Sequence, residues 1–176
     1  MKTAWFLESG IGSVIAVSPE GNRVEAAVFG RDAVAPAPLL LGADRTPYQM
    51  IVQIAVHGHS LPAAALEAAL DASPGIRRLL GRYVQTLNTH SAYTALSNTI
   101  HQVDERCARW LLMVHDCVDG VDIPITHEFL SLMLAVRRPS VTTALHVLEG
   151  NGLIRAERGW VTIRDRAGLE DFAGDA

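Results

Sequence analysis

The sequence predicts an α+β fold in three parts: a β-rich first third, one long helix in the middle, and a helix–turn–helix closed by a hairpin. Three observations carry this. Before residue 63, short apolar runs are separated by glycine and proline clusters. From Ile76 to about Thr99 only Gly81 interrupts helix-forming sequence. After Thr126, two short amphipathic segments meet at a tight connection and lead into two β-type runs around Arg158-Gly159.

In the first third, Thr3–Glu8 and Ile11–Val17 read as two strands split by Ser9-Gly10. Pro19-Glu20-Gly21-Asn22 is a turn, and Arg23–Phe29 is a half-buried strand with partial alternation. Residues 30–48 hold too many breakers for a long element, although Leu39-Leu40-Leu41 suits a buried helical turn. Met50–Val56 is a further strand. Pro62 then opens an Ala/Leu helix, Ala63–Ala72.

The middle third is helical. Ser73 is a good N-cap, with Pro74 at the first helical position. The helix carries a seam of Ile76, Leu80, Tyr83, Leu87, His90 and Thr94 at alternating spacings of four and three. That seam suits either packing on the chain's own sheet or a two-fold dimer, and a thin stripe on a long helix favours the dimer. A second helix, His101–Val118, presents Val103, Cys107, Trp110, Leu111 and Val114 as its core face and ends at Asp119-Gly120.

The last third holds the candidate site. Thr126 caps a helix to Leu134, with Glu128 in its first turn. Ala135-Val136-Arg137-Arg138 is the connection, and Pro139 starts a second helix ending near Asn151, with Val141, Leu145 and Leu148 turned inward. Gly152 stands where a helix terminus favours positive φ. Leu153–Ala156 and Trp160–Ile163 form a hairpin, and Asp165 caps a terminal helix over Arg166–Phe172. Trp110 and Trp160 read as core and hairpin packing residues.

Helix, turn, helix and hairpin make a winged helix-turn-helix. A helix of about 13 residues, about 20 Å long, enters a major groove about 12 Å wide. Its leading end offers Arg137, Arg138, Ser140, Thr142 and Thr143, the hairpin offers Arg155 and Arg158, and Thr126 opens the preceding helix. Guanidinium groups fork onto guanine edges and phosphates, and hydroxyls reach either. Fourteen of the 15 basic residues are Arg, and six lie between Arg137 and Arg166 against three acidic residues, although the whole chain is at −4. Double-stranded DNA is therefore the expected partner. A winged helix used only for protein contacts is the competing reading.

Other chemistry finds little support. His57-Gly58-His59 supplies two imidazoles without a third ligand, and His127-Glu128 has Ser131 where a zinc-protease helix needs its second His. Cys107 and Cys117, ten residues apart on one predicted helix, are too distant to bridge and read as buried thiols. No cofactor, metal or catalytic set is expected. With two cysteines, no apolar run of membrane length and no leader-like start, a cytoplasmic protein is expected.

Over residues 100–172 the sequence resembles the Crp/Fnr superfamily of bacterial transcription regulators. The resemblance rests on His101–Leu112, then Ile125–Val141, Ala144-Leu145 and Leu148–Ile154. A looser likeness to the family's sensor β-roll covers Val28–Asp32 and Leu41–Pro47. The resemblance implies an effector-type β-roll over 1–72, a dimerisation helix over 73–99 and a DNA-binding domain over 100–176. It also implies a homodimer and RNA polymerase as a partner; no effector is indicated. The roll reads as partial, with about four strands of the usual eight. Gly30-Arg31-Asp32 and Arg45-Thr46 stand near the places of the family's nucleotide-binding Gly-Glu pair and Arg, but the sugar-binding Glu is absent. Of the family's Arg-Glu-x-x-x-Arg trio in the reading helix only Arg138 survives. Missing strands motivate an alternative: a truncated regulator that pairs with a full-length relative.

Overall fold

The computed structural model describes residues 1–174; the last two residues of the predicted 100–176 domain lie outside the described residues. The first strand, β1 (Thr3–Val17), is one continuous 15-residue element, not two. Gly10 lies inside it at φ +83°, and a Cβ there would sit 2.2 Å from the Ala55 carbonyl oxygen. Ser9-Gly10 is therefore an irregularity in the pairing, where only glycine fits, and the strand continues past it.

β1 is the spine of an antiparallel sheet. β2 (Arg23–Phe29) pairs with its C-terminal half, from Gly12↔Phe29 to Val17↔Arg23. The two-residue β3 (Val34–Ala35) pairs with Trp5 and Phe6. β4 (Gln49–Pro62), twice the expected length, runs along the other side of β1 from Thr3 to Ile15. A 3-10 turn over Ala37–Leu41 buries Leu40, while Leu41 is exposed. α1 (Ala63–Ala72) follows and sets Leu66 and Leu70 into the sheet's core.

α2 (Pro74–Ile100) begins as the sequence predicts, with Ser73 Oγ accepting from the Ile76 amide at 3.3 Å. The predicted seam, however, faces the chain's own sheet. Leu80 and Tyr83 pack with Ala4, Val34, Leu66 and Leu70, Leu87 lines a cavity against Pro36 and Tyr48, and His90 faces Val28. Thr94 is half-buried too, and of the six only Ile76 is exposed. The open face lies one residue away, at Leu79, Arg82, Thr86, Thr89, Tyr93, Leu96 and Ile100. One residue is about 100° of rotation, and this stripe keeps the same three–four spacing.

α3 (Val103–His115) is shorter than predicted and buries Cys107, Ala108, Trp110, Leu111 and Val114. Cys117 therefore lies beyond the helix, packed against Gly30, while Cys107 is fully buried. Burial pushes the Cys107 thiol up to about 12. A short strand missed from sequence, β5 (Asp122–Pro124), precedes α4 (His127–Met133) and α5 (Arg138–Gly150). β6 (Ile154–Glu157) and β7 (Trp160–Ile163) form the hairpin, with Gly159 at φ +85° in its turn, and β5 pairs with β7. Trp160 is half exposed there, against expectation. α6 (Arg166–Ala173) starts at Asp165, whose carboxylate accepts from the Gly168 amide at 2.9 Å.

One core joins the sheet to the C-terminal domain. Ile11, Ile15 and Val28 are buried with Leu111, Val114, Leu130, Leu145 and Leu148. No helix among the described residues is long and apolar enough to cross a membrane.

Candidate nucleic-acid interface

α4 and α5 are fixed from below by burial. Leu130 and Met133 on α4, and Val141, Ala144, Leu145 and Leu148 on α5, are buried, so the opposite sides of both helices must face out. Thr126 caps α4, its Oγ1 accepting from the Phe129 amide at 3.2 Å. Between the helices Ala135 adopts φ +51°, the single left-handed non-glycine residue among those described. Arg106 on α3 holds this turn by donating to the Leu134 carbonyl. Burial pulls the Arg106 guanidinium below the ordinary arginine value, which suits a half-buried strut and not a surface charge.

The structure brings the candidate residues to one end of α5. Arg137 is the N-cap residue, and Arg138 and Pro139 form the first turn. Arg137, Arg138 and Thr143 are exposed, while Ser140 and Thr142 are half-buried. Arg138 is engaged: its Nη2 lies 2.8 Å from Glu128 Oε2. Thr142 Oγ1 is 3.2 Å from His127 Nδ1 and also donates to the Arg138 carbonyl. Thr143 donates to the Pro139 carbonyl at 3.1 Å. Arg137 forms no ion pair among the described residues.

The hairpin stands beside this end. Glu149 of α5 accepts from the Ala156 amide at 3.0 Å, and the Ile125 amide donates to the Gly159 carbonyl at 3.0 Å. Those two bonds tie the hairpin to α5 and to the segment that leads into α4. Arg155 is exposed and pairs with Glu157 at 2.6 Å; Arg158, at the tip, is exposed and makes no ion pair among the described residues. Arg166, counted with the basic window, is instead tied to Asp116 and Glu170 and bridges α3 to α6. Sequence reasoning missed His146, which is exposed one turn beyond Thr142 and Thr143; helical spacing from those hydroxyls was the available signal. An open cleft lies on the sheet side of this end, where Ser18, Asn22 and Arg23 of the β1–β2 turn face Thr126, Arg137 and Ser140.

Residues 105–172 match the Crp-like helix-turn-helix domain family. The whole chain is similar in structure to FixK2 from Bradyrhizobium japonicum, with a TM-score of 0.78 at 17% identity, covering 99% of this chain and 89% of that one. It is similar also to a CRP-family transcriptional regulator from Thermus thermophilus, with a TM-score of 0.75 at 21% identity, covering 98% of this chain and 88% of that one. A CRP/FNR-family regulator from the same organism gives a TM-score of 0.74 at 19% identity over 97% and 87% of the two chains. No curated protein matches the sequence. The chain thus has the Crp/Fnr transcriptional regulator fold, with a Crp-like helix-turn-helix domain at its C-terminal end.

Proposed function

We propose that this Crp/Fnr-fold chain is a non-catalytic, cytoplasmic, sequence-specific DNA-binding regulator of transcription that acts as a homodimer. Residues 1–72 serve as an effector-type domain, 73–99 as the dimerisation helix and 100–176 as the DNA-binding domain. The observation that carries the reading is the two-sided character of α5. Its inner face is fully apolar and buried, and its outer leading end carries Arg137, Arg138, Thr142 and Thr143 beside the Arg-bearing hairpin. In this reading α5 enters the major groove, Arg138 reads a base edge, Ser140 and Thr126 approach phosphates, and Arg155 and Arg158 contact the neighbouring backbone.

The dimer contact moves to the open stripe of α2, from Leu79 to Ile100. Four of its seven positions are large apolar or aromatic side chains left exposed in the single chain: Leu79, Tyr93, Leu96 and Ile100. Pairing two copies there along a two-fold axis sets two reading helices about 34 Å apart, one turn of DNA. RNA polymerase is then the downstream partner of the bound dimer. Selection of genomic fragments on the purified chain tests the reading. Recovery of an inverted-repeat motif supports it, and retention of fragments without a shared motif refutes it.

A second reading, a regulator that works by pairing with a full-length family member, has one observation in its favour. The outer edge of β4 pairs with no strand among the described residues, and Met50 and Val52 are exposed along it. Co-purification of such a relative with the tagged chain favours this reading; a pure homodimer that retards DNA unaided refutes it.

A further inference from the structure

The outward side of α5 is a single stripe. Val141, Ala144, Leu145 and Leu148 are buried, which turns Pro139, Thr142, Thr143 and His146 away from the core. These four stand at i, i+3, i+4 and i+7, the spacing with which a helix lying along the major groove presents side chains to base edges. Pro139, Thr143 and His146 are exposed, and Thr142 is half-buried.

The polar groups of this stripe are not equally free. Proline offers none. Thr143 directs its single hydroxyl proton to the Pro139 carbonyl at 3.1 Å. Thr142 donates to the Arg138 carbonyl at 3.2 Å, so in its 3.2 Å contact with His127 Nδ1 it is the acceptor. Both hydroxyls are left with lone pairs alone. Arg138, at the start of the helix, is held by Glu128. His146 has no hydrogen bond or ion pair among the described residues. Beyond the first turn of α5 it is the one outward side chain with an unengaged N–H, and it gives up only water to reach a base.

We propose that His146 is a specificity-determining residue of this chain, donating its imidazole N–H to a guanine in the major groove. The proposal rests on the function proposed above. Guanine presents two acceptors side by side, N7 and O6, whereas adenine sets an amino donor beside its N7 and pyrimidines have no N7. Thr143 stands where the family's trio has its second arginine, with its proton turned inward, and His146 one turn further on supplies the donor that Thr143 does not. From Arg138 to His146 is eight residues, about 12 Å at about 1.5 Å each. The guanine therefore lies about three to four base pairs from the base that Arg138 reads, at about 3.4 Å per pair.

The test is selection from a random duplex library with the full chain, with His146→Ala and with His146→Gln, using thermal melts to verify folding. The unaltered chain should select a guanine about three to four base pairs from the position whose preference is lost in Arg138→Ala. His146→Ala should lose the preference at that guanine alone and keep the rest of the motif. Its affinity for the selected duplex should fall about two- to tenfold, with no fall on a duplex in which that guanine pair is replaced. His146→Gln should turn the preference toward adenine, whose N6 and N7 a carboxamide matches. A motif unchanged in His146→Ala overturns the proposal and leaves the regulator reading standing. Equal losses on both duplexes also overturn it, since they mark a phosphate contact. No motif from the unaltered chain overturns the function proposed above and this inference with it.

Discussion

Replacing Arg138 by alanine probes the proposed DNA-reading surface directly. Its guanidinium is 2.8 Å from Glu128, and the two side chains are 62% and 77% exposed. An exposed pair of this kind contributes about 0.2–1 kcal/mol to folding, so the variant should fold and melt almost as the parent does. On DNA the balance differs. A forked contact with guanine discriminates by about 1–3 kcal/mol, a factor of about 5–150 in affinity. Surrendering the Glu128 pair to reach a base takes back at most about 1 kcal/mol of that. Arg138→Ala should therefore weaken binding to the selected duplex severalfold to about a hundredfold and hardly alter binding to a scrambled one. Glu128→Gln, which frees the guanidinium, should tighten specific binding by up to about fivefold. Fluorescence anisotropy titrations against both duplexes measure this, with thermal melts as the folding control. Equal losses on both duplexes would make Arg138 a phosphate contact, and no loss on either would remove it from the interface.

Arg158→Ala, at the hairpin tip, should lower the slope of log affinity against log salt by about one and leave sequence preference unchanged, as read by titrations at several salt concentrations. Leu96→Asp places a carboxylate on the open stripe of α2; if the proposed dimer forms there, sedimentation should show the variant as monomer and the parent as dimer, whereas an unchanged dimer would put the interface elsewhere. Leu111→Ala removes a fully buried side chain from the shared core and should cost about 2–5 kcal/mol in urea unfolding. That unfolding should remain a single transition, and two separate transitions would show that sheet and DNA-binding domain fold independently.

The C-terminal architecture was legible because each element carries its own local signals. Thr126 and Asp165 cap helices, Gly159 turns the hairpin, and the spacing of Val141, Leu145 and Leu148 orients α5. The sheet was less legible. Ser9-Gly10 looks like a strand break, and only the proximity of the Ala55 carbonyl shows why glycine is needed within a continuous strand. On α2 both stripes have three–four spacing and both mix polar with apolar residues, so composition could not say which faces the sheet. The open stripe is the more polar of the two, with Arg82, Thr86 and Thr89 on it. Glu25 is buried, although it sits on a strand with partial alternation, where a carboxylate is expected to face water. Its donors come from residues 13, 53 and 110, and no local window contains them.

The left-handed backbone at Ala135 narrows what drift can do to this protein. A β-branched residue at that position would have to give up the turn geometry, whereas glycine, asparagine or aspartate could enter it with little strain. Since Ala135 joins the two helices, its dihedral angles also aim α5. Divergent descendants should therefore vary freely in the outward side chains of α5 while conserving small or turn-tolerant residues at the hinge between the helices, so that, on the proposed function, new target sequences would be acquired without re-aiming the helix.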